Sequence, residues 1–158
     1  MKRSEIFIVN QNSDPKDIKV ELTETLNMVE SSLILLQNEL LESISCPYQN
    51  GFLQILLNQM QATVQLYRTL YDSAAIQKDQ NEIFLINPAI EPAMVQIELV
   101  ASIHQLQSLC YFAAYKFLDD LDSDTVNSFT VINKYMLRAV KLIDLLALHE
   151  NHNSLAAA

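Results

Sequence analysis

Two histidines near the end of the sequence have the spacing of a metal-binding pair. His149 and His152 are three residues apart, so a helix would present both imidazoles on one side. They lie in a polar tail that we expect to fray, which disfavours a metal site. His104 has Ala101 three residues before it and lacks the Glu-x-x-His pairing of di-iron bundles. We therefore expect no metal in this chain.

A run of aspartates in the second half begins like a calcium-binding loop. Thr125 stands where that loop needs a glycine, and Val131 stands where it needs an acid. Capping of a helix N-terminus is the better interpretation of the run. We define it as the acidic patch: Asp119, Asp120, Asp122 and Asp124.

Residues suited to covalent or nucleotide chemistry are scarce. The one glycine, Gly51, cannot build a phosphate-binding loop or a nucleophile elbow. A catalytic Cys46 or Cys110 would need a histidine beside it in space, which no sequence spacing indicates. We expect no enzymatic activity and no cofactor.

The composition indicates a globular domain with an acidic surface. The chain has 158 residues, 50% of them hydrophobic, and a formal net charge of −9 with a pI near 4.6. This charge argues against direct binding of nucleic acid. No apolar run reaches the roughly 18–20 residues that cross a bilayer, and the N-terminus has no signal-peptide pattern. Two cysteines do not make a disulfide framework, so we expect reduced thiols and a cytoplasmic protein.

The most informative pattern is a repeat at an offset of 77 residues. The segment Glu5–Asn10 (EIFIVN) recurs as Glu82–Asn87 (EIFLIN), and Pro15 recurs as Pro92. Further identities keep the same offset along the chain without a gap. We interpret them as a tandem duplication within one domain, 1–154. Its units, called copy one and copy two, are 1–77 and 78–154, and 155–158 look like a cloning scar.

Each copy is expected to fold as strand–helix–helix. The strand-like segments are Ile6–Val9 and Ile83–Ile86, and the prolines open helices with apolar residues every three or four positions. The fold class is therefore mainly α. We predict a four-helix bundle of two repeats about a pseudo-twofold axis, with the strands pairing as a small β element.

The second helices of the two copies differ in their apolar faces. A stripe shared by both copies, including Phe52 and Ile55, is expected to form the core. Copy one carries an additional apolar stripe where copy two has Lys134 and Lys141. Two interpretations stay open: the fold covers this stripe, or it is an exposed interface. We call it the copy-one stripe: Leu53, Leu57, Met60, Val64, Tyr67 and Tyr71.

The first helix of copy two carries aromatic residues that copy one lacks. Tyr111 and Tyr115 stand where copy one has Ile34 and Asn38. Aromatic residues at helical spacing often belong to a core, but they also suit a groove for a partner helix. Tyr111 and Tyr115 join the copy-one stripe as candidate partner-binding residues.

The start of copy two resembles a family of short bacterial proteins of unknown function. The segment Ile83–Pro88 (IFLINP) and the helix from Pro92 carry the resemblance, which covers about 65 residues. Copy one has Gln11 at the position of that proline, and Ala89 replaces the glycine of the family. The resemblance implies a strand-like segment, a proline turn and a helical hairpin, and a bacterial or phage origin.

These observations favour a protein–protein interaction module of the adaptor, chaperone or inhibitor type. It would act through the copy-one stripe, and its partner would be another protein or a second copy of itself in a homodimer. An alternative is an acidic decoy that occupies the nucleic-acid site of a basic protein, using the acidic patch. A bundle that binds an apolar ligand between its hairpins is a third class.

Overall fold

A computed structural model of the chain describes residues 8–43, 47–71, 87–115 and 123–157. Four helices make up most of this part: α1 (Pro15–Ser43), α2 (Pro47–Tyr71), α3 (Pro92–Tyr115) and α4 (Ser123–Ala157). No strand occurs within these ranges, and Ile8 and Val9 are not part of one. The other residues of the two strand-like segments lie outside the described residues. The predicted mainly α fold with four helices is confirmed.

The turns that precede α1 and α3 contain the same hydrogen bonds. The Asn10 side chain accepts from the Asn12 amide at 3.0 Å, and the Asn87 side chain accepts from the Ala89 amide at 3.0 Å. In each turn the asparagine carbonyl also accepts from the amide three residues later, at 3.1 Å. A proline then occupies the first helical position, where its missing N–H costs nothing. These bonds recur at the predicted offset of 77 residues.

Each helix packs against two neighbours, so that α1 and α3 lie diagonally across the bundle, as do α2 and α4. Polar contacts give the direction of each pair. Gln37 of α1 binds Gln54 near the start of α2, while Tyr67 near the end of α2 binds the Lys19 carbonyl near the start of α1. Glu150 near the end of α4 contacts Lys19 and also Gln96 near the start of α3. Neighbouring helices are therefore antiparallel, and the chain forms an up-down-up-down bundle.

The buried faces of α1 and α3 are equivalent. Ile18, Leu22 and Leu26 of α1 are buried, as are Val95, Leu99 and Ile103 at the same positions of α3. The match continues along both helices in the pairs Val29 and Leu106, Leu33 and Cys110, and Leu36 and Ala113. The predicted apolar stripes of the first helices are confirmed as core at these positions.

The prediction for α2 was wrong about which face is buried. The shared stripe lies outward in copy one, where Ile55 is 58% exposed and Phe52 is half-buried. The copy-one stripe fills the core instead, and within it Tyr71 alone is only partly buried. Of the two open interpretations, the fold itself covers this stripe, so its buried side chains are not available to a partner.

A one-residue shift explains this difference between α2 and α4. Helix α2 begins at Pro47 and α4 at Ser123, which is an offset of 76, and burial follows that offset. One residue turns a helix by about 100°. The predicted offset of 77 therefore matched an outward face of α2 to the buried face of α4. Buried positions equivalent at the new offset are Leu53 and Phe129, Leu56 and Ile132, Met60 and Met136, and Tyr67 and Ile143.

Helix α4 is longer than the sequence predicted. It continues through His149 and His152 to Ala157, where a frayed tail and a cloning scar were expected. The His152 ring nitrogen Nδ1 lies 2.7 Å from the Leu148 carbonyl oxygen, one turn earlier. The prediction that these histidines lie in a frayed tail was therefore wrong.

Candidate functional site

Helix α3 has few charged side chains and carries apolar residues on its outer side as well as in the core. Among its 24 residues, Glu98 is the single acidic residue, and the helix has no lysine or arginine. One side forms core, while Met94, Ile97, Tyr111 and Tyr115 are 47–63% exposed on the other. Large apolar side chains grouped on an exposed helix face are costly to leave in water, so this side is the strongest candidate for a binding surface.

The exposed residues of α3 follow a regular spacing. They recur alternately three and four positions apart, which places them in one row along the helix, opposite Leu99 and Leu106 of the core. This is the spacing by which two helices pack side by side in a coiled coil. We call the row the α3 outer stripe: Met94, Ile97, Ala101, His104, Ser108, Tyr111 and Tyr115.

The aromatic end of the stripe borders a surface groove between α3 and α4. The rings of Tyr111 and Tyr115 are in contact, tilted by 44° with their centroids 4.9 Å apart. With Leu137 of α4, which is 43% exposed, they line a groove of about 510 Å³. Its polar edge contains Gln107, whose amide donates to the buried Asn133 side chain at 3.2 Å. The groove combines apolar rings with amide and hydroxyl groups, as protein interfaces do.

The middle of the stripe contains a hydrogen bond to α4. His104 Nε2 lies 2.8 Å from Asp144 Oδ1, and both side chains are about half exposed. This pair fixes the His104 ring against α4. It leaves the apolar ends of the stripe on either side of a polar centre.

Cys110 lies beneath this surface and is unsuited to nucleophilic chemistry. The residue is fully buried, and burial raises the pKa of its thiol to about 12. A thiol with this pKa stays protonated at neutral pH and is a poor nucleophile. Cys46 lies outside the described residues.

The histidines predicted as a weak metal pair do not form a ligand group. No cluster of three or more His, Cys, Asp or Glu side chains suited to a metal occurs within the described part of the chain. The buried Nε2 of His149 has no hydrogen-bond partner there, and His152 is exposed.

The structure places the predicted site residues in two different environments. Tyr111 and Tyr115 are together at the surface, whereas the copy-one stripe lies inside the bundle. Asp124 is exposed in the first turn of α4, and the other three aspartates of the acidic patch lie outside the described residues. The decoy alternative, which depends on that patch, stays a prediction.

Sequence reasoning missed Met94, Ile97 and Leu137. Met94 and Ile97 have a signal in the sequence, because α3 has one charged side chain in 24 residues and more apolar residues than one buried face requires. Leu137 has no such signal in the sequence, because a single leucine between Lys134 and Lys141 on one helix face is an ordinary surface residue.

Comparisons with known proteins identify no relatives. No family model matches the chain, and neither the curated proteins nor the solved structures contain a match. The resemblance to short bacterial proteins therefore stays a prediction. None of the helices in the described ranges is long and apolar enough to cross a membrane.

Proposed function

We propose that this protein is a non-enzymatic interaction module that binds a helix of a partner protein along the α3 outer stripe. The observation that carries this proposal is the exposure of Met94, Ile97, Tyr111 and Tyr115 on a helix with one charged residue. The stripe is long enough for six turns of helix, and its alternating spacing suits the apolar row of an amphipathic helix. Methionine and tyrosine adapt well to such contacts.

The corresponding face of α1 supports a specialised role for α3. At the offset of 77 residues, Met94, Ala101 and Tyr115 correspond to Asp17, Glu24 and Asn38, all exposed. At these three positions helix α1 presents charged and amide groups to water, whereas Val20 and Ile34, which correspond to Ile97 and Tyr111, are apolar and exposed in α1 as well. Since the two helices bury equivalent core positions, this difference is not required by folding of the bundle.

We also propose that the bundle arose by tandem duplication with one residue lost between α3 and α4, within the second hairpin. The repeated asparagine turns and the equivalent burial of α1 and α3 support this origin. The offset of 76 between α2 and α4 is the trace of the lost residue.

Site-specific photo-crosslinking tests the interaction. Benzoylphenylalanine replaces Tyr115, and in a matched control it replaces Asn38, the exposed equivalent on α1. We expect a discrete crosslinked product from position 115 and none from position 38. Tyr111→Lys should abolish the product, whereas Ile34→Lys, at the equivalent exposed position of α1, should leave it unchanged. No product from position 115, or equal products from both, contradicts the proposal.

The mass of the product identifies the type of partner. A product of twice 18.0 kDa, with a matching dimer in light scattering, means that a second copy occupies the stripe. A different mass means a different protein. High salt should have little effect on an apolar interface, whereas it would dissociate an acidic decoy from a basic partner.

A further inference from the structure

A second surface feature, separate from α3, is a groove between α1 and α2. Its volume is about 370 Å³, within the range of roughly 300–1,000 Å³ that small-molecule sites occupy. Among the neighbouring helix pairs, α1 and α2 contact each other least, which leaves the groove open. Its lining includes Lys16, Lys19, Val20 and Thr23 of α1, and Tyr67 and Arg68 of α2.

The groove is basic although the protein is acidic. Lys16, Lys19 and Arg68 line it, which is three of the ten basic residues in a chain of net charge −9, and none of its lining residues is acidic. Lys19 is paired with Glu150 at 3.6 Å. Within the described residues, Lys16 and Arg68 have no ion-pair partner. Two cationic groups therefore remain to bind an anion.

Hydroxyl groups form one wall of the groove and are held in place. Tyr67 Oη lies 2.7 Å from Thr23 Oγ1, and each hydroxyl is 2.8 Å from the Lys19 carbonyl oxygen. This network joins α1 to α2 and fixes the Tyr67 ring before a ligand enters. Val20, which is 53% exposed, contributes apolar surface, while Leu26 and Val64 are buried beneath it. The groove thus offers cations, fixed hydroxyls and an apolar surface in one place.

We propose that the α1–α2 groove binds a small organic anion, with its carboxylate on Lys16 and Arg68 and its apolar body against Val20 and the Tyr71 ring. Arginine suits this role because its guanidinium donates two parallel hydrogen bonds to a carboxylate. The Glu150 carboxylate is held by Lys19 and Tyr71. Its negative charge repels the ligand's carboxylate from Lys19 and the Tyr71 hydroxyl, so the ligand's carboxylate is expected at Lys16 and Arg68.

A titration with octanoate, followed by amide NMR shifts, tests this site. We expect shifts in residues 16–27 and 64–71 that saturate. Octanol, which has the same chain without the charge, should bind at least about tenfold more weakly, since it lacks the charge-assisted hydrogen bonds. Arg68→Gln should weaken octanoate binding by about tenfold and leave octanol binding unchanged. Lys134→Gln, an exposed cation on α4, is the matched control and should change neither.

Three results would overturn the proposal. The first is an absence of saturable shifts, the second is equal affinity for octanoate and octanol, and the third is octanoate binding that Arg68→Gln does not weaken. Lys16→Gln provides a second variant that should weaken octanoate binding if Arg68→Gln alters the fold. Shifts confined to the α3 outer stripe would show nonspecific binding to apolar surface and would also contradict the assignment.

Discussion

The Tyr71 hydroxyl donates to the Glu150 carboxylate, lying 3.2 Å from each oxygen, and so connects α2 to α4 across the diagonal of the bundle. The same carboxylate accepts from the Gln96 amide of α3 and pairs with Lys19 of α1. The Lys19 ammonium also lies 4.5 Å from the centre of the Tyr71 ring. One carboxylate therefore joins all four helices at this end of the bundle.

The Tyr71 contact predicts a loss of stability at alkaline pH. Burial, and then the charge of Glu150, raise the pKa of Tyr71 well above its ordinary value of 10.0. The protonated phenol is favoured in the folded state. The free energy of unfolding that Tyr71 contributes is therefore complete below pH 10.0 and declines as pH rises above that value. We expect the free energy of unfolding, measured with urea, to fall above about pH 10.

Tyr71→Phe isolates this effect. At neutral pH the variant should lose about 0.5–1.5 kcal/mol, the net value of one hydrogen bond. Above pH 10.0 its stability should fall less steeply than that of the wild type, so that the two curves converge. Parallel curves would show that Tyr71 does not titrate differently in the folded protein.

The buried position of the copy-one stripe predicts opposite results for two lysine substitutions on α2. Leu57 is 4% exposed and Ile55 is 58% exposed, two residues apart on the same helix. Leu57→Lys places a charge in the core and should destabilise the fold by roughly 3 kcal/mol or more. Ile55→Lys should change stability by less than about 0.5 kcal/mol. Thermal unfolding followed by circular dichroism compares them.

A tolerated Leu57→Lys would mean that the copy-one stripe is a surface after all. It would restore the interpretation of that stripe as an interface. Severe destabilisation by Ile55→Lys, with Leu57→Lys near wild type, would mean that the shared stripe faces the core.

The sequence was sufficient to predict where α1 and α3 begin and which of their faces is buried. Pro15 and Pro92 mark both helix starts, and the apolar spacing of α1 selects one buried face. Helix α2 is apolar on adjacent faces, at Ile55 as well as Leu56 and Leu57, so spacing alone permits two orientations. Contacts with α1 and α3 decide between them, and a single sequence does not contain that information.

The candidate site was predictable in part for the same reason. Tyr111 and Tyr115 were noticed because they differ from their equivalents in copy one, but a tyrosine row suits a core as well as a surface. Whether Tyr111 and Tyr115 are exposed depends on which side of α3 packs against α2 and α4. The basic groove joins residues of α1 and α2 that are about 40–50 positions apart, a juxtaposition that only the antiparallel pairing creates.

Burial of Cys110 predicts slow thiol chemistry. Its pKa, raised by burial to about 12, keeps the thiol protonated, and the core excludes reagents. In a Cys46→Ser variant, which leaves Cys110 as the single thiol, we expect reaction with a disulfide reagent at pH 8 to be at least about 100-fold slower than in urea. Fast reaction in the native protein would place Cys110 at the surface.

The pH dependence of stability should also reflect this thiol. The pKa of Cys110 in the folded protein lies above the ordinary 9.0. The stability that this thiol contributes is therefore complete below pH 9.0 and is lost as pH rises toward about 12. Cys110→Ala should remove this part of the alkaline decline. The substitution also removes a buried sulfur, so the comparison is made between slopes against pH rather than between absolute stabilities.

A buried hydroxyl pair between α2 and α3 predicts non-additive substitutions. Thr63 Oγ1 and Ser102 Oγ are 2.7 Å apart in the core, and the Gln59 amide donates to Ser102 Oγ at 2.9 Å. Ser102→Ala leaves these groups with one partner fewer and should cost about 1–2 kcal/mol. Ser108→Ala, at an exposed serine of the same helix, is the matched control and should cost less than about 0.5 kcal/mol.

The double variant distinguishes a specific pair from general packing. Thr63→Val together with Ser102→Ala replaces both hydroxyls by apolar groups, which leaves neither partner unsatisfied. Urea unfolding should therefore give the double variant a smaller loss than the sum of the two single losses, by at least about 0.5 kcal/mol. Strict additivity would mean that the two hydroxyls act independently. In that case the register of α2 against α3 would depend on their other contacts, which include the hydrogen bond from Gln59 to Gln105 and the surrounding apolar side chains.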